Sequence, residues 1–247
     1  MVYNPYSLDG KSILVTGASS GIGRCTAIEC SKLGARVVLV ARNIERLNET
    51  LAKMTGDGHI ALSGDLTIEE DVKKIAAECP ELDGVVNNAG IAISKPVAFY
   101  SEKDLNSIFG TNTFAPMLFN KWLLKKKKIK KQASLVFTSS IASKSSHLGN
   151  GIYGSSKAAL STYMRYCAGE LAAKGIRCNA VLPGMVETKL IHDGAISEED
   201  LKKDLLNYPL GRYGKPEEIA WAIIYLLSDA SAWVTGHELI IDGGTTL

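Results

Sequence analysis

Tyr153 and Lys157 stand four residues apart in Ile152-Tyr153-Gly154-Ser155-Ser156-Lys157, a spacing that puts a phenol and an ammonium on one face of a helix. A phenol with a pKa of about 10 is seldom ionised at neutral pH, but a cation ~4–5 Å away in a medium of effective dielectric ~20 favours the phenolate by a few kcal/mol. The pair could then trade a proton near pH 7 and act as an acid–base catalyst. The same spacing also fits an amphipathic helix with a solvated lysine, so the surrounding residues must decide.

The elements that would position this pair are short β-branched runs alternating with longer helical stretches from end to end, the pattern of a parallel sheet with crossover helices. Strands are predicted over 12–16, 36–40, 59–62, 84–87, 134–138, 177–182 and 238–241. Several are apolar throughout, as strands buried on both faces should be. Helices are predicted over 21–33, 44–54, 68–77, 102–125, 153–173 and 216–227. No repeat or flexible linker interrupts the 247 residues, so one α/β domain spanning 1–247 is expected.

Between strand and helix at the start comes Thr16-Gly17-Ala18-Ser19-Ser20-Gly21-Ile22-Gly23. Gly17 suits a tight turn, Gly21 the approach of backbone to a pyrophosphate, and Gly23 close helix–strand packing, with helix N–H groups facing the anion. Opening the first strand–helix–strand unit is the context a dinucleotide site requires. The second predicted strand runs out at Leu39-Val40-Ala41-Arg42-Asn43. An NAD site would offer an acid to the ribose there, whereas Ala41 followed by Arg42 suits a 2′-phosphate, which favours NADP(H) over NAD(H). Asp65-Leu66 fits an adenine edge, though Asp65 equally fits a cap on the next helix. Asn87-Asn88-Ala89-Gly90 suits a close approach of cofactor and backbone, or an Asx turn.

Residues 185–213 form the longest stretch without a strand and follow a strand end, where ligands bind in open α/β sheets; they are the candidate lid or substrate-selecting segment. A short helix over 197–206, opened by Ser197 with Asp200 three residues on, is expected within it. His147, Asn150 and Met185 are candidates for lining the site. Residues 125–131 hold six lysines interrupted only by Ile129. Such a run commonly ends a helix as a solvated, dipole-complementing terminus; the alternative is a docking patch for an acidic partner, joined by Lys174 if the segments are neighbours.

Composition narrows the classes. Twenty-eight basic against 26 acidic residues leave a net charge of +2, which sets up no global field for nucleic acid or a membrane surface; no aromatic residue interleaves with the lysine run, which also speaks against nucleic acid. Five dispersed cysteines and four isolated histidines show no metal-ligand spacing. With no signal-like start and no long apolar run, a soluble cytoplasmic protein without metal is expected.

With these motifs assembled, the chain resembles the single-domain short-chain dehydrogenases/reductases carrying TGxxxGxG and YxxxK, over nearly its whole length to the closing Thr235-Gly236-His237-Glu238-Leu239-Ile240-Ile241-Asp242-Gly243-Gly244. Within them it is most similar to the 3-oxoacyl-[acyl-carrier-protein] reductases and related alcohol and sugar dehydrogenases. The resemblance implies a Rossmann-like doubly wound fold with a seven-stranded parallel sheet, usually a homotetramer. It implies Tyr153 as general acid–base, Lys157 as its electrostatic partner and ribose contact, Ser140 rather than Ser139 as the substrate-orienting hydroxyl, and Asn112 as support for a water-mediated proton path. It implies cofactor contacts by Asn88 and Gly90, and by Pro183, Gly184, Val186 and Thr188. Many NADP-dependent members carry a basic residue where this chain has Ser20, which leaves phosphate affinity mainly on Arg42, helped by Ser19 or Asn43. The implied function is NADP(H)-dependent interconversion of a carbonyl and a secondary alcohol, foremost a 3-oxoacyl thioester with acyl carrier protein as a candidate partner. The alternatives are a dehydrogenase of a small alcohol, sugar or steroid and, in a different class, a non-catalytic nucleotide sensor.

Overall fold

The computed structural model describes residues 3–188 and 198–247. Seven strands, β1 (Ser12–Thr16), β2 (Arg36–Ala41), β3 (Ile60–Ser63), β4 (Leu82–Asn87), β5 (Ile129–Thr138), β6 (Arg177–Pro183) and β7 (Glu238–Ile241), form one sheet in the order β3-β2-β1-β4-β5-β6-β7. Every pairing is parallel. The strand order reverses between β1 and β4, which opens a crevice at their carboxyl ends where such sheets bind ligands.

Alternation along each strand divides its apolar side chains between two cores. Leu14, Val38, Val85, Leu135 and Cys178 face one side, closed by α3 (Glu69–Glu78), α5 (Ala115–Lys125) and α6 (Gly151–Leu171). Ile13, Val15, Val37, Val86 and Val136 face the other, closed by α1 (Gly21–Lys32), α2 (Ile44–Leu51) and α8 (Pro216–Leu227). Both faces are thus dry, as a fully parallel sheet demands.

The structure departs from the sequence reading where local chemistry interrupts periodicity. The helix predicted over 102–125 is α4 (Glu102–Phe109), one wide π turn (Gly110–Phe114) and α5. Pro116, in the first turn of α5, has no N–H to return to the Asn112 carbonyl, which favours such a widening. Helix α6 starts at Gly151, two residues early, because the Tyr100 hydroxyl accepts the Ile152 N–H at 3.0 Å. Helix α2 stops at Leu51. The short helix is present as α7 (Glu198–Leu205), but the cap expected at Ser197 and residues 189–197 of the expected lid lie outside the described residues.

Strand β5 begins five residues earlier than predicted, so the lysine run is not one helix terminus. Lys125 closes α5, Lys126 to Lys128 turn, and Lys130 and Lys131 lie in the strand. Lys127 and Gln132 take left-handed φ of 56° and 61°. Around Gln132, five steps along β5 match only two along β4, from the Leu82–Ile129 pair to the Gly84–Ser134 pair, a bulge that places Lys130 beside Asp83 at 2.9 Å. Lys174 is a neighbour, since Gly175 packs on Gln132. All of this sits at the amino ends of the strands. Among the described residues no helix is long and apolar enough to cross a membrane.

Candidate active site

The carboxyl ends of β1 and β4 are locked by one side chain. The Thr16 hydroxyl accepts the N–H groups of Asn88 at 2.9 Å and Ala89 at 3.0 Å and donates to the Val86 carbonyl at 3.2 Å. Asn88 donates its amide to the Thr16 carbonyl at 3.1 Å, so it clasps β1 and does not make an Asx turn. Gly17 has φ 67°, and a Cβ on Gly23 would lie 2.4 Å from the Gly17 carbonyl oxygen and 2.5 Å from Asn88 Nδ2. Only hydrogen fits there, and the turn therefore delivers the first amides of α1 into the crevice. Gly21, with φ 51°, faces Thr188, whose methyl would touch its Cβ at 3.4 Å. The segment after β6 thus folds back over the glycine turn.

The other predicted positions surround this crevice. Ser20 is the N-cap of α1 but makes no side-chain cap bond; Ser19 is half-buried beside it, and Ile22 packs on the second core. Gly184 donates to the Ile241 carbonyl at 2.9 Å beside Pro183, and Val186 is buried and bridges to Gly214. Arg42 is largely exposed, with its nearest acid, Asp65, at 3.8 Å, and Asn43 caps α2 through Arg46 N–H. Asp65 caps no helix: Ile68 is the N-cap of α3, and Asp65 instead receives the Thr67 amide at 2.9 Å and hydroxyl at 2.7 Å. Although burial works against it, these bonds and Arg42 hold its carboxyl below the ordinary range. Leu66 packs on the first core.

Beyond β5 the chain presents two serines with opposite fates. Ser139 is buried, donates to the Lys157 carbonyl at 3.1 Å and accepts from Ser161 at 2.9 Å. The Ser140 hydroxyl accepts the Ala142 N–H at 3.2 Å and lies close enough to Tyr153 to favour its ionised form. Helix α6 carries Tyr153 and Lys157, and it approaches the Ser140 turn through Gly154, where a Cβ would lie 2.5 Å from the Ala142 carbonyl oxygen. Gly154→Ala should therefore cost about 1–3 kcal/mol of stability through overpacking and lower turnover at least ~10-fold by moving Tyr153 off Ser140. Thermal melting with steady-state rates checks this; wild-type values for both would show that the close approach positions nothing.

Lys157 is 4% exposed. Its Nζ donates to the Thr138 carbonyl at 2.8 Å and stands 5.8 Å from the centre of the Tyr153 ring. Burial lowers its pKa to about 8. Burial also raises the Tyr153 phenol above its usual value, the nearby Ser140 hydroxyl opposing this only in part. The expectation of a phenol drawn down toward neutrality is thus corrected. One N–H of the ammonium goes to the Thr138 carbonyl, and burial raises the phenol, so at neutral pH the pair rests as phenol and ammonium.

Asn112 lies in the π turn, fully buried. Its Oδ1 accepts the Ile91 N–H at 2.9 Å, while Nδ2 donates to the Ile91 carbonyl at 2.9 Å and Ser156 Oγ at 3.0 Å. Gly90 lies between, since a Cβ there would be 3.1 Å from Asn112 Oδ1 and 3.3 Å from Lys157 Nζ. The structure therefore gathers Asn112, Ser140, Tyr153, Lys157 and Gly90 at one end of the sheet. Sequence reasoning missed Thr16, Thr138 and Gly154; an isolated glycine inside a helical pattern, as at 154, was the available signal. The lysine run is not part of this site: the length of β5, roughly 20 Å at strand rise once its bulge is allowed for, separates it from Ser140.

A seven-stranded parallel sheet with a glycine turn after β1 and a Ser–Tyr–Lys group beyond β5 defines a class. The family profile described as Enoyl-(Acyl carrier protein) reductase matches residues 17–246, and the chain belongs to the short-chain dehydrogenase/reductase family as an oxidoreductase. It is 36% identical to 3-oxoacyl-[acyl-carrier-protein] reductase of Homo sapiens, over 96% of this chain and 98% of that protein. It is also 36% identical to glucose 1-dehydrogenase of Gluconobacter oxydans, over 96% and 92% respectively. Among solved structures, 7α-hydroxysteroid dehydrogenase complexed with NADH and 7-oxo glycochenodeoxycholic acid superposes with a TM-score of 0.91 at 29% identity, covering 98% of both chains.

Proposed function

We propose that this chain reduces a carbonyl to a secondary alcohol with NADPH, and that the carbonyl is that of a 3-oxoacyl thioester. The observation carrying the reaction is the gathering of Ser140 and Tyr153 beside the buried Lys157 cation. The crevice suits a nicotinamide dinucleotide: close packing at Gly17 and Gly23 against Asn88 fixes the turn that presents the first amides of α1 to a pyrophosphate, and Asn88, Ala89, Gly90 and Lys157 are available to the ribose, with residues 183, 184, 186 and 188 at the carboxamide end. When bound, the reduced cofactor supplies the hydride. Ser140 and Tyr153 donate hydrogen bonds to the substrate oxygen as it gains negative charge, and Tyr153 gives up its proton to complete the alcohol. The phenolate left behind is stabilised by Lys157; at roughly 6 Å and an effective dielectric near 20 this is worth about 3 kcal/mol. Replacement of the proton runs past Lys157 toward Asn112 and solvent. Because the pair rests protonated, the free site is set for reduction.

NADP(H) is favoured over NAD(H) by Ala41-Arg42 at the end of β2, where an uncharged residue and a cation stand in place of a ribose-binding acid. Arg42→Asp should move the ratio of NADPH to NADH efficiency at least ~10-fold toward NADH by removing a cation and adding a ribose acceptor. An unchanged ratio, from initial rates with both nucleotides, would remove the assignment.

The second reading, a dehydrogenase of a small alcohol, sugar or steroid, draws support from the placement of the lysine run at the amino ends of the strands, which deprives an acidic carrier protein of that patch when it presents a substrate to Tyr153. The equal identity to an acyl reductase and a sugar dehydrogenase is neutral between the two. NADPH oxidation with acetoacetyl thioesters, free and carrier-bound, against cyclic ketones and keto-sugars separates them; preference for a ketone or keto-sugar would transfer the assignment. A homotetramer is part of the proposal, with exposed Phe114, Tyr166, Trp221 and Ile240 as apolar surface for it, and a monomer in sedimentation would remove that part. A cytoplasmic setting accords with five unpaired cysteines, four of them buried.

A further inference from the structure

We propose that Arg46 is a second nucleotide-selecting residue, which binds the 2′-phosphate of NADP(H) together with Arg42. This rests on the NADP(H) reading above. Between the start of α1 and α2 lies an open cleft of about 350 Å³ lined by Ser20, Gly21, Arg24, Arg46 and Glu49. Its charges are not balanced. Arg24 is committed: Nε donates to Thr50 Oγ1 at 3.1 Å, and Nη2 donates to Glu49 at 3.0 Å and to the Arg46 carbonyl at 3.4 Å. That bond neutralises Glu49, the only acid in the lining. Arg46 is half-buried, and its guanidinium has no hydrogen bond or ion pair among the described residues. One positive charge is left over, facing a space that also contains Ser20, whose hydroxyl makes no cap bond and is free to donate.

The need for such a group follows from Arg42 itself. Its side chain is 74% exposed and is shared with Asp65 at 3.8 Å. Contacts of this exposed kind discriminate by no more than roughly five-fold, little for a site that must tell a dianionic phosphate from a hydroxyl. A partly enclosed arginine is screened less and presents a planar fork that matches phosphate oxygens. Arg46 lies at the third position of α2, four residues after Arg42, which precedes the helix; its backbone is fixed by the Asn43 cap at 2.7 Å, so its side chain can select without being needed to hold the helix.

The test is equilibrium titration of wild type, Arg42→Ala, Arg46→Ala and Arg46→Ala/Ser20→Arg with NADPH, NADH, 2′,5′-ADP and 5′-AMP. The expected result is NADPH and 2′,5′-ADP binding weakened at least ~10-fold by Arg46→Ala, with NADH and 5′-AMP within about two-fold of wild type. The added arginine at position 20, which lines the same cleft, should restore most of the lost affinity. If Arg42→Ala weakens NADPH selectively and Arg46→Ala does not, Arg46 has no part in selection while the NADP(H) reading stands. Equal losses for all four ligands would make Arg46 structural and overturn the inference. Wild type binding NADH as tightly as NADPH would overturn the NADP(H) reading itself.

Discussion

Tyr153→Phe should bind NADPH with near wild-type affinity and reduce its carbonyl substrate at least ~10²-fold more slowly, the lower range for loss of a general acid. The substitution removes one oxygen and leaves the ring, so its packing and the 5.8 Å separation of the Lys157 ammonium from the ring centre are retained. What disappears is the proton and, in the proposed mechanism, one of two hydrogen bonds to the developing alkoxide, with Ser140 giving the other. The loss should fall on kcat, because the bonds strengthen only as charge appears on the substrate oxygen. Steady-state kinetics with a nucleotide titration decide it: turnover within a few-fold of wild type would mean the proton comes from elsewhere.

Lys157→Met should lower turnover by a comparable factor while leaving the fold no less stable at pH 7. A buried ammonium with a pKa near 8, against about 10.5 in an unfolded chain, costs the native state about 3 kcal/mol wherever both states hold the proton, that is below pH 8. From pH 8 to 10.5 the native chain has lost the proton while the unfolded chain still binds it, so the wild type gains stability with rising pH in that window. Methionine removes this cost but strands the Thr138 carbonyl, a loss of about 1–3 kcal/mol, and the two nearly cancel. Denaturant unfolding of both proteins from pH 7 to 10.5 should show the wild type gaining on the variant as pH rises. A variant several kcal/mol less stable at pH 7 would mean that the ammonium holds the fold together and is not a strained functional charge.

Much of this site was legible because its chemistry is written in contiguous motifs. The glycine turn between β1 and α1 follows from φ and space that only glycine tolerates at 17 and 23, and the seven strands follow from apolar runs buried on both faces. Interruptions that depend on tertiary partners were not legible. The π turn holding Asn112 sits inside a continuous helical pattern, and the lysine run hid a strand start because the left-handed turns at Lys127 and Gln132 use residues that do not announce them. The Tyr153–Lys157 spacing predicted proximity correctly but not its electrostatics. Burial and the Thr138 carbonyl, both products of the assembled sheet, set the resting protonation.

The central claim is that a cationic Lys157 supports a protonated Tyr153 in carbonyl reduction, and the pH dependence of kcat/KM for the NADPH-driven reaction tests it most directly, since it reports the free enzyme's groups. The rate should hold steady through neutrality and fall as pH rises through about 8, where the ammonium is lost, and Lys157→Met should lack that inflection. A rate that climbs through this range, or an inflection that persists unchanged in the variant, would contradict the account.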